Sequence, residues 1–344
     1  MVRGGGTRSE QGLSAQDKAE LVLLHASGLT GSQTALEFHT RHPDKPLPDR
    51  STVGTLHDKF RRTGSVSSRT RIMSAFKSRL GVSEVTDNKS NLGRALVAEL
   101  VGNFVLNFFG CLSVLDLNQA ANSNAAPNIV VIALSFGLAI MACVQSLGHV
   151  SGAHINPAVT FGFMVTGKVT IIRALLYIVA QCLGAIGGSA ALKALTPPAY
   201  AESGLGMTTI NEASGLTAVQ GFGIEFFLGF ILVLVVFGVC DPNKADLKAP
   251  AAVIIGLTVA LGHLGAIDYT GSSMNPARTF GSAVIANIWK NHWVYWAGPS
   301  LGGIAAALLY THVFAAPTKG EYSPVQVEEK ELKRLDGKND DGVA

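Results

Sequence analysis

Charge is the first thing this sequence is short of. Only 15% of its 344 residues are Asp, Glu, Lys or Arg, against roughly 25% in soluble domains. The deficit is concentrated. No charged residue occurs between Asp116 and Lys168, Arg173 and Lys193, Lys248 and Asp268, or Lys290 and Lys319. Apolar stretches of about 20 residues are long enough to cross a bilayer as helices. A multi-span membrane protein is therefore expected, not a soluble core. Cysteine is scarce too. Cys111, Cys143, Cys182 and Cys240 sit in or at the ends of apolar segments. They have neither metal-ligand spacing nor a disulfide framework and read as inert buried thiols. The first 20 residues lack an apolar core, so no cleavable signal peptide is expected. There is no nucleophile–base pair, metal cluster or phosphate loop, so neither an enzyme nor a cofactor is expected.

What charge there is lies unevenly. Residues 1–92 hold 14 Lys or Arg and 9 Asp or Glu, a net of +5, while the other 252 hold 13 and 15, a net of −2. The boundaries expected are an extension at 1–91, a membrane body at 92–316 and a charged, flexible tail at 317–344. The first residues, to about 13, are Gly-rich and read as disordered. Within the extension, Ser14 with Asp17, Ser32 and Ser51 are each placed to cap a short helix. The third helix would carry Val53, Leu56 and Phe60 on one face and Lys59, Arg61 and Arg62 near its end. Residues 67–92 read as a linker beside the membrane.

The body contains a repeat. Ser151–Gly162 reads SGAHINPAVTFG and Thr270–Gly281 reads TGSSMNPARTFG. From Gly152 and Gly271 onward, seven of eleven positions are identical. The copies lie 119 residues apart (275 − 156), which suggests two homologous halves rather than a solenoid. Asn is a good helix N-cap, and Pro at the first helical position needs no N–H partner. Asn156-Pro157-Ala158 and Asn275-Pro276-Ala277 should therefore each open a short helix after irregular backbone. Two such half-helices in corresponding halves of a membrane protein point to a pathway at mid-membrane depth.

Six spans are expected around them, at about 92–115, 128–147, 170–192, 216–239, 250–266 and 292–314, with half-helices at 156–165 and 275–288. Six spans put both termini on one side. The basic segment before the first span argues for the cytoplasm, with Lys168, Arg173, Lys244 and Lys248 on cytoplasmic turns. Glu99 and Glu225 occupy matching places in the first and fourth spans. Phe136 with Ile140, and Val259 with His263, are each four apart and share a helix face.

The two Asn-Pro-Ala boxes, Arg278 after the second, GHVSGAH before the first and His263 in ALGHLGAIDYTG resemble the aquaporin family, over about residues 92–316. The resemblance implies an all-α membrane protein: a right-handed bundle of six helices with two re-entrant half-helices in two inverted repeats. It implies water as the permeant, membrane lipid as the surroundings and a homotetramer in the plasma membrane. It also implies a narrow filter from Phe136, His263, Ser272 and Arg278. Carbonyls of Gly152, Ala153, His154, Ile155, Gly271, Ser272 and Ser273 would accept hydrogen bonds from passing water. Leu106, Ile140, Leu232 and Val259 would form apolar walls. The amide NH₂ groups of Asn156 and Asn275 would be free to donate to water, their oxygens being used as caps.

Selectivity can be argued further. Glycerol-conducting relatives replace the filter His with a small residue and carry Asp after the filter Arg; here His263 is present and Thr279 follows Arg278. Water is the expected permeant, with a glycerol or urea channel as the alternative. Ser272 stands where some members carry a mercury-reactive Cys, so weak mercurial inhibition is expected. Glu99 and Glu225 have two readings: proton relays of a secondary transporter, or loop supports that accept backbone hydrogen bonds. The resemblance favours the second. Residues 14–66 partly resemble a transposon-derived helix-turn-helix, which implies either a nucleic-acid module or a small helical domain. The basic excess is modest, so nucleic acid is not an expected partner.

Overall fold

The computed structural model describes residues 13–63, 76–87, 91–115, 128–198, 204–243 and 250–316. The expected N-terminal disorder, the whole C-terminal tail at 317–344 and the placement of Lys244 and Lys248 fall outside the described residues. The chain forms two compact units, residues 1–78 and 79–344.

Among the described residues the first unit contains the helices α1 (Ala15–Ala26), α2 (Gly31–Arg41) and α3 (Arg50–Thr63). Ser14 and Asp17 form a capping box on α1. On α2 the box is made by Thr30 and Gln33, not by Ser32. Leu21, Val22, Ala35, Phe38, Val53 and Leu56 form the unit's own small core.

The second unit begins at Arg79, earlier than the boundary expected from charge. Arg79 donates to the carbonyls of Met164 (2.7 Å) and Val165 (3.1 Å). A short helix, α4 (Val82–Thr86), presents Glu84 to the Thr170 hydroxyl at 2.7 Å and to Arg173. Residues 79–87 are thus tied to the membrane body rather than strung beside it as a linker.

Eight α-helices follow among the described residues: α5 (Leu92–Leu112), α6 (Ile129–Ser151), α7 (Pro157–Val165), α8 (Ile171–Leu195), α9 (Ala218–Val239), α10 (Ala251–Thr270), α11 (Pro276–Ala286) and α12 (His292–Leu309). There is no strand among the described residues. By length and composition α5, α6, α8, α9 and α10 are apolar enough to cross a membrane. The sixth span, α12, is 18 residues long and diluted by two Trp, a Tyr and a His. The fold is six membrane helices and two re-entrant half-helices, α7 and α11, in inverted repeats.

The repeat is visible in the packing. α5 lies against α8 as α9 lies against α12, and each half-helix packs on the last span of the opposite half, α7 on α12 and α11 on α8. Small residues make these crossings close. A Cβ on Gly188 would lie 2.5 Å from the Phe104 carbonyl oxygen, and one on Gly298 would lie 2.7 Å from Glu225 Cβ. The side chains left exposed on the outer faces, such as Val97, Leu138, Leu183, Phe227 and Leu261, suit a hydrocarbon surround.

Candidate functional site

Both half-helices start as their sequences dictate. Asn156 Oδ1 accepts from Ala158 N at 2.8 Å, and Asn275 Oδ1 accepts from Ala277 N and Arg278 N at 3.0 and 3.2 Å. Pro157 and Pro276 are the first helical residues. All six residues of the two boxes are buried.

The backbone before each box is strained in the same way. Gly152, Ala153 and Ile155 have positive φ, as do Gly271, Ser272 and Met274. A β-branched residue at positive φ, as Ile155 is, is a real outlier and persists only where surrounding structure over-determines it. Two buried carboxylates do that. Glu99 accepts from His154 N (2.9 Å), Ile155 N (2.6 Å), the Ser151 hydroxyl (2.7 Å) and Gln181 (2.8 Å). Glu225 accepts from Ser273 N (2.8 Å), Met274 N (2.9 Å) and the Thr270 hydroxyl (2.7 Å). Tyr177 and Tyr295 complete the pattern by donating to the carbonyls of Ser151 and Thr270, both at 2.9 Å.

The two loops meet through their asparagines. Asn156 Nδ2 donates to Met274 O at 2.9 Å, and Asn275 Nδ2 donates to Ile155 O at 2.7 Å. The amides are therefore not wholly free. One hydrogen of each ties the loops together, which leaves one for the space between them. The Ile155 carbonyl also already has an acceptor role inside the protein.

That space is a narrow cavity of about 70 Å³. A water needs roughly 10–15 Å³ by this measure, so the volume corresponds to on the order of five water molecules. Asn156 and Asn275 both line it, as do Leu106, Ile140, Leu232 and Val259, and Phe136, His263 and Arg278. Of the carbonyl-bearing residues named from sequence, Gly152, Ala153, His154 and Ser273 line it, whereas Ile155, Gly271 and Ser272 are not among its walls. Glu99 and Glu225 stand behind the loops, also outside the lining.

Phe136, His263 and Arg278 converge. The Phe136 and His263 rings stack with centroids 4.3 Å apart, and the Arg278 guanidinium carbon lies 4.9 Å from the Phe136 centroid. His263 Nδ1 lies 2.9 Å from Val259 O. A carbonyl cannot donate, so Nδ1 carries the proton and Nε2 faces away as the other ring nitrogen. His263 Nε2, Ser272 Oγ, and Arg278 Nε and Nη1 are buried without partners within the protein. Buried polar atoms are costly to leave unpaired.

Several contributors escaped the sequence reading. Asn107 donates to Arg278 O (3.0 Å) and the Ser189 hydroxyl (3.1 Å), fixing the backbone beneath the arginine. Thr208 bonds the Thr279 hydroxyl at 2.7 Å, and Thr279 donates to Ser273 Oγ at 2.7 Å. Cys240, which the sequence suggests is a buried, inert thiol, is exposed and lines the cavity, because α9 ends there and opens the wall. Cys182 is half-buried. Val159, the counterpart of Arg278 in the first box, lines the cavity as well. Among the described residues no group of His, Cys, Asp or Glu is placed to hold a metal ion.

Comparisons with known proteins agree with this architecture. The family model "Major intrinsic protein" matches residues 86–310. Aquaporin-4 of Mus musculus is 39% identical over 301 residues, covering 82% of this chain and 89% of that protein. Aquaporin-1 of Canis lupus familiaris is 42% identical over 249 residues, covering 70% and 91%. The X-ray structure of the aquaglyceroporin from Plasmodium falciparum shares the fold, with a TM-score of 0.56 at 24% identity over 64% of this chain and 96% of that one. With the family model spanning both Asn-Pro-Ala boxes and all six spans up to Tyr310, the chain belongs to the major intrinsic protein family, and is an aquaporin-type channel rather than an enzyme.

Proposed function

We propose that the chain is a passive, water-selective channel. The observation that carries this reading is the cluster of buried, unpartnered polar atoms, His263 Nε2 and Arg278 Nε and Nη1, facing Phe136 at a constriction of the cavity. These donors and acceptors have partners only when small polar molecules pass. The Phe136 ring packs directly on His263 and beside Arg278, which fills this part of the wall, so a solute with a carbon backbone gains no room. Selectivity in aquaporin-type pores in general rests on pore diameter, lining donors and acceptors, and electrostatic barriers.

Below the constriction the walls Leu106, Ile140, Leu232 and Val259 offer no hydrogen bonds, which keeps friction low. Water is guided instead along the loop edge, where carbonyls of Gly152, Ala153, His154 and Ser273 serve as acceptors. At the centre, the remaining amide hydrogens of Asn156 and Asn275 both donate to one water oxygen. That water turns its own hydrogens outward along the file and is hindered from accepting a proton. Each half-helix N-terminus adds roughly half a positive charge, and Arg278 a full one, which opposes hydronium and other cations.

Glu99 and Glu225 act as loop supports, since their oxygens are engaged by backbone N–H groups behind the pore. The rest of the reading is a homotetramer in the plasma membrane with both termini cytoplasmic and no nucleic-acid partner. Family membership supports the tetramer, and the basic segment before α5 supports the orientation. The decisive experiment is stopped-flow light scattering on proteoliposomes. Fast, non-saturating water flux with little glycerol or urea entry is expected. Equal permeability to water and glycerol would replace this reading with an aquaglyceroporin-like one, and dependence on a proton gradient with a secondary transporter.

A further inference from the structure

In the N-terminal unit, Arg61 and Arg62 close α3 as exposed cations, and Lys77 is an exposed cation further along the same unit. Its acidic groups are largely engaged: Asp17 with Lys45 at 2.6 Å, Glu37 with Arg41 at 2.8 Å, and Glu20 with His42 at 3.0 Å. Asp49 accepts from Ser51 N at 2.8 Å. Arg61 and Arg62, in the last turn of α3, are exposed and have no acidic partner among the described residues. Beside them Phe60 is 42% exposed. The same pairing recurs in the helical turn at 76–80, where Phe76 is 56% exposed next to an exposed Lys77. Between Asp58 and Glu84 the sequence has seven Lys or Arg and no acidic residue. The chain then enters the first membrane helix at Leu92.

A basic last turn alone would be explained by the helix dipole. That does not account for the exposed rings of Phe60 and Phe76. A nucleic-acid groove is the other polyanion to consider. Against it, the outer face of α3 carries Asp58, Ser51 and Thr55 rather than a basic strip. Exposed phenylalanines also have no evident role in a duplex groove. An aromatic ring beside a cation matches a membrane interface, where the ring enters the headgroup layer and the cation meets lipid anions.

We propose that two short aromatic-basic patches, Phe60 with Arg61 and Arg62, and Phe76 with Lys77, each bind anionic lipid headgroups of the leaflet from which the chain enters the membrane. Which leaflet that is rests on the orientation proposed above; the lipid chemistry does not. Each cation at an anionic surface is worth roughly a fivefold change in partitioning.

The test uses the full chain in nanodiscs, where both faces are open and orientation is irrelevant. Discs of phosphatidylcholine are compared with discs carrying about one-third phosphatidylserine, a fraction that gives a strongly negative surface. Chymotryptic cleavage after Phe60 and Phe76 is followed by mass spectrometry. Cleavage should slow at least fivefold in the anionic discs, and the protection should vanish in high salt. The variant Arg61→Gln/Arg62→Gln/Lys77→Gln should lose it at unchanged water flux. Equal cleavage in both discs would overturn the proposal. So would protection conferred by a DNA duplex in neutral discs but not by phosphatidylserine. Protease added separately to intact cells and to inside-out vesicles reports the orientation independently.

Discussion

Gly137 on α6 and Gly256 on α10 face each other across the repeat axis, and a Cβ on either would lie 2.6 Å from the carbonyl oxygen of the other. Their separation is 119 residues (256 − 137), the same as that of Asn156 and Asn275. This contact limits how closely α6 and α10 approach each other. Gly137→Ala or Gly256→Ala must push backbone against backbone. Overpacking of this kind costs about 1–3 kcal/mol. A lower unfolding temperature in detergent is expected for either variant, and a larger drop for Gly256→Leu. Wild-type melting of both alanine variants would show that the halves are not held at this contact.

The constriction gives a prediction about solutes. Removing the imidazole and the guanidinium together, in His263→Ala/Arg278→Val, clears the space opposite Phe136. Glycerol and urea entry should rise several-fold or more while water flux persists. If glycerol permeability stays at the wild-type level, these residues do not set the limit.

The carboxylates behind the loops make a different prediction. Glu99→Gln keeps the size of the side chain but replaces one acceptor oxygen by an NH₂ group that faces backbone N–H donors. Hydrogen bonds to charged groups contribute about 1.5–3 kcal/mol each, and a strained Ile155 depends on them. Glu99→Gln and Glu225→Gln should both lower the unfolding temperature and reduce water flux through loss of folded channel. Proton flux should be at background in wild type and variants alike. A wild-type proton current that disappears in Glu99→Gln would restore the relay reading.

Much of this was legible in the sequence, for identifiable reasons. Caps are local, so Asn156-Pro157 and Asn275-Pro276 announced their helices, and identical flanks exposed the repeat. Glu99 and Glu225 stood out because charge is rare in an apolar run. What depends on distant backbones was not legible. The pairing of each asparagine amide with a carbonyl of the other loop requires knowing how closely the loops meet. Asn107 and Thr208 look like ordinary polar residues until Arg278 O and Thr279 are beside them. Arg79 and Glu84 sit in a segment whose composition suggests a linker, yet their partners lie more than 80 residues later.

Cys240 changes the expectation for thiol reagents. With Ser272 in the second loop, weak mercurial inhibition was expected, yet an exposed thiol lines the end of the cavity where α9 stops. Methanethiosulfonate or mercurial applied to the face on which α9 ends should reduce water flux. Cys240→Ser should abolish the effect, and Cys111→Ser and Cys143→Ser, both buried, should leave it intact. Inhibition that survives Cys240→Ser would mean that the reagent enters by another route.

The N-terminal unit carries its own pH dependence. The Lys45 ammonium, bonded to Asp17, holds that carboxyl down from 3.8 to about 2. A carboxyl whose pKa is lower in the folded state contributes stability above its unfolded value, and that stability is lost as pH falls toward the folded value. The unit should therefore lose stability between about pH 4 and pH 2. Lys45→Ala removes the main cause, so its stability should be lower at neutral pH and should fall less across the same window, Ser14 still holding the Asp17 carboxyl down. Chymotryptic release of fragments ending within α1 and α2, followed at each pH by equilibrating the full chain in acid and digesting after a rapid return to neutral, measures this. Identical acid profiles for wild type and Lys45→Ala would remove the ion pair from the unit's stability.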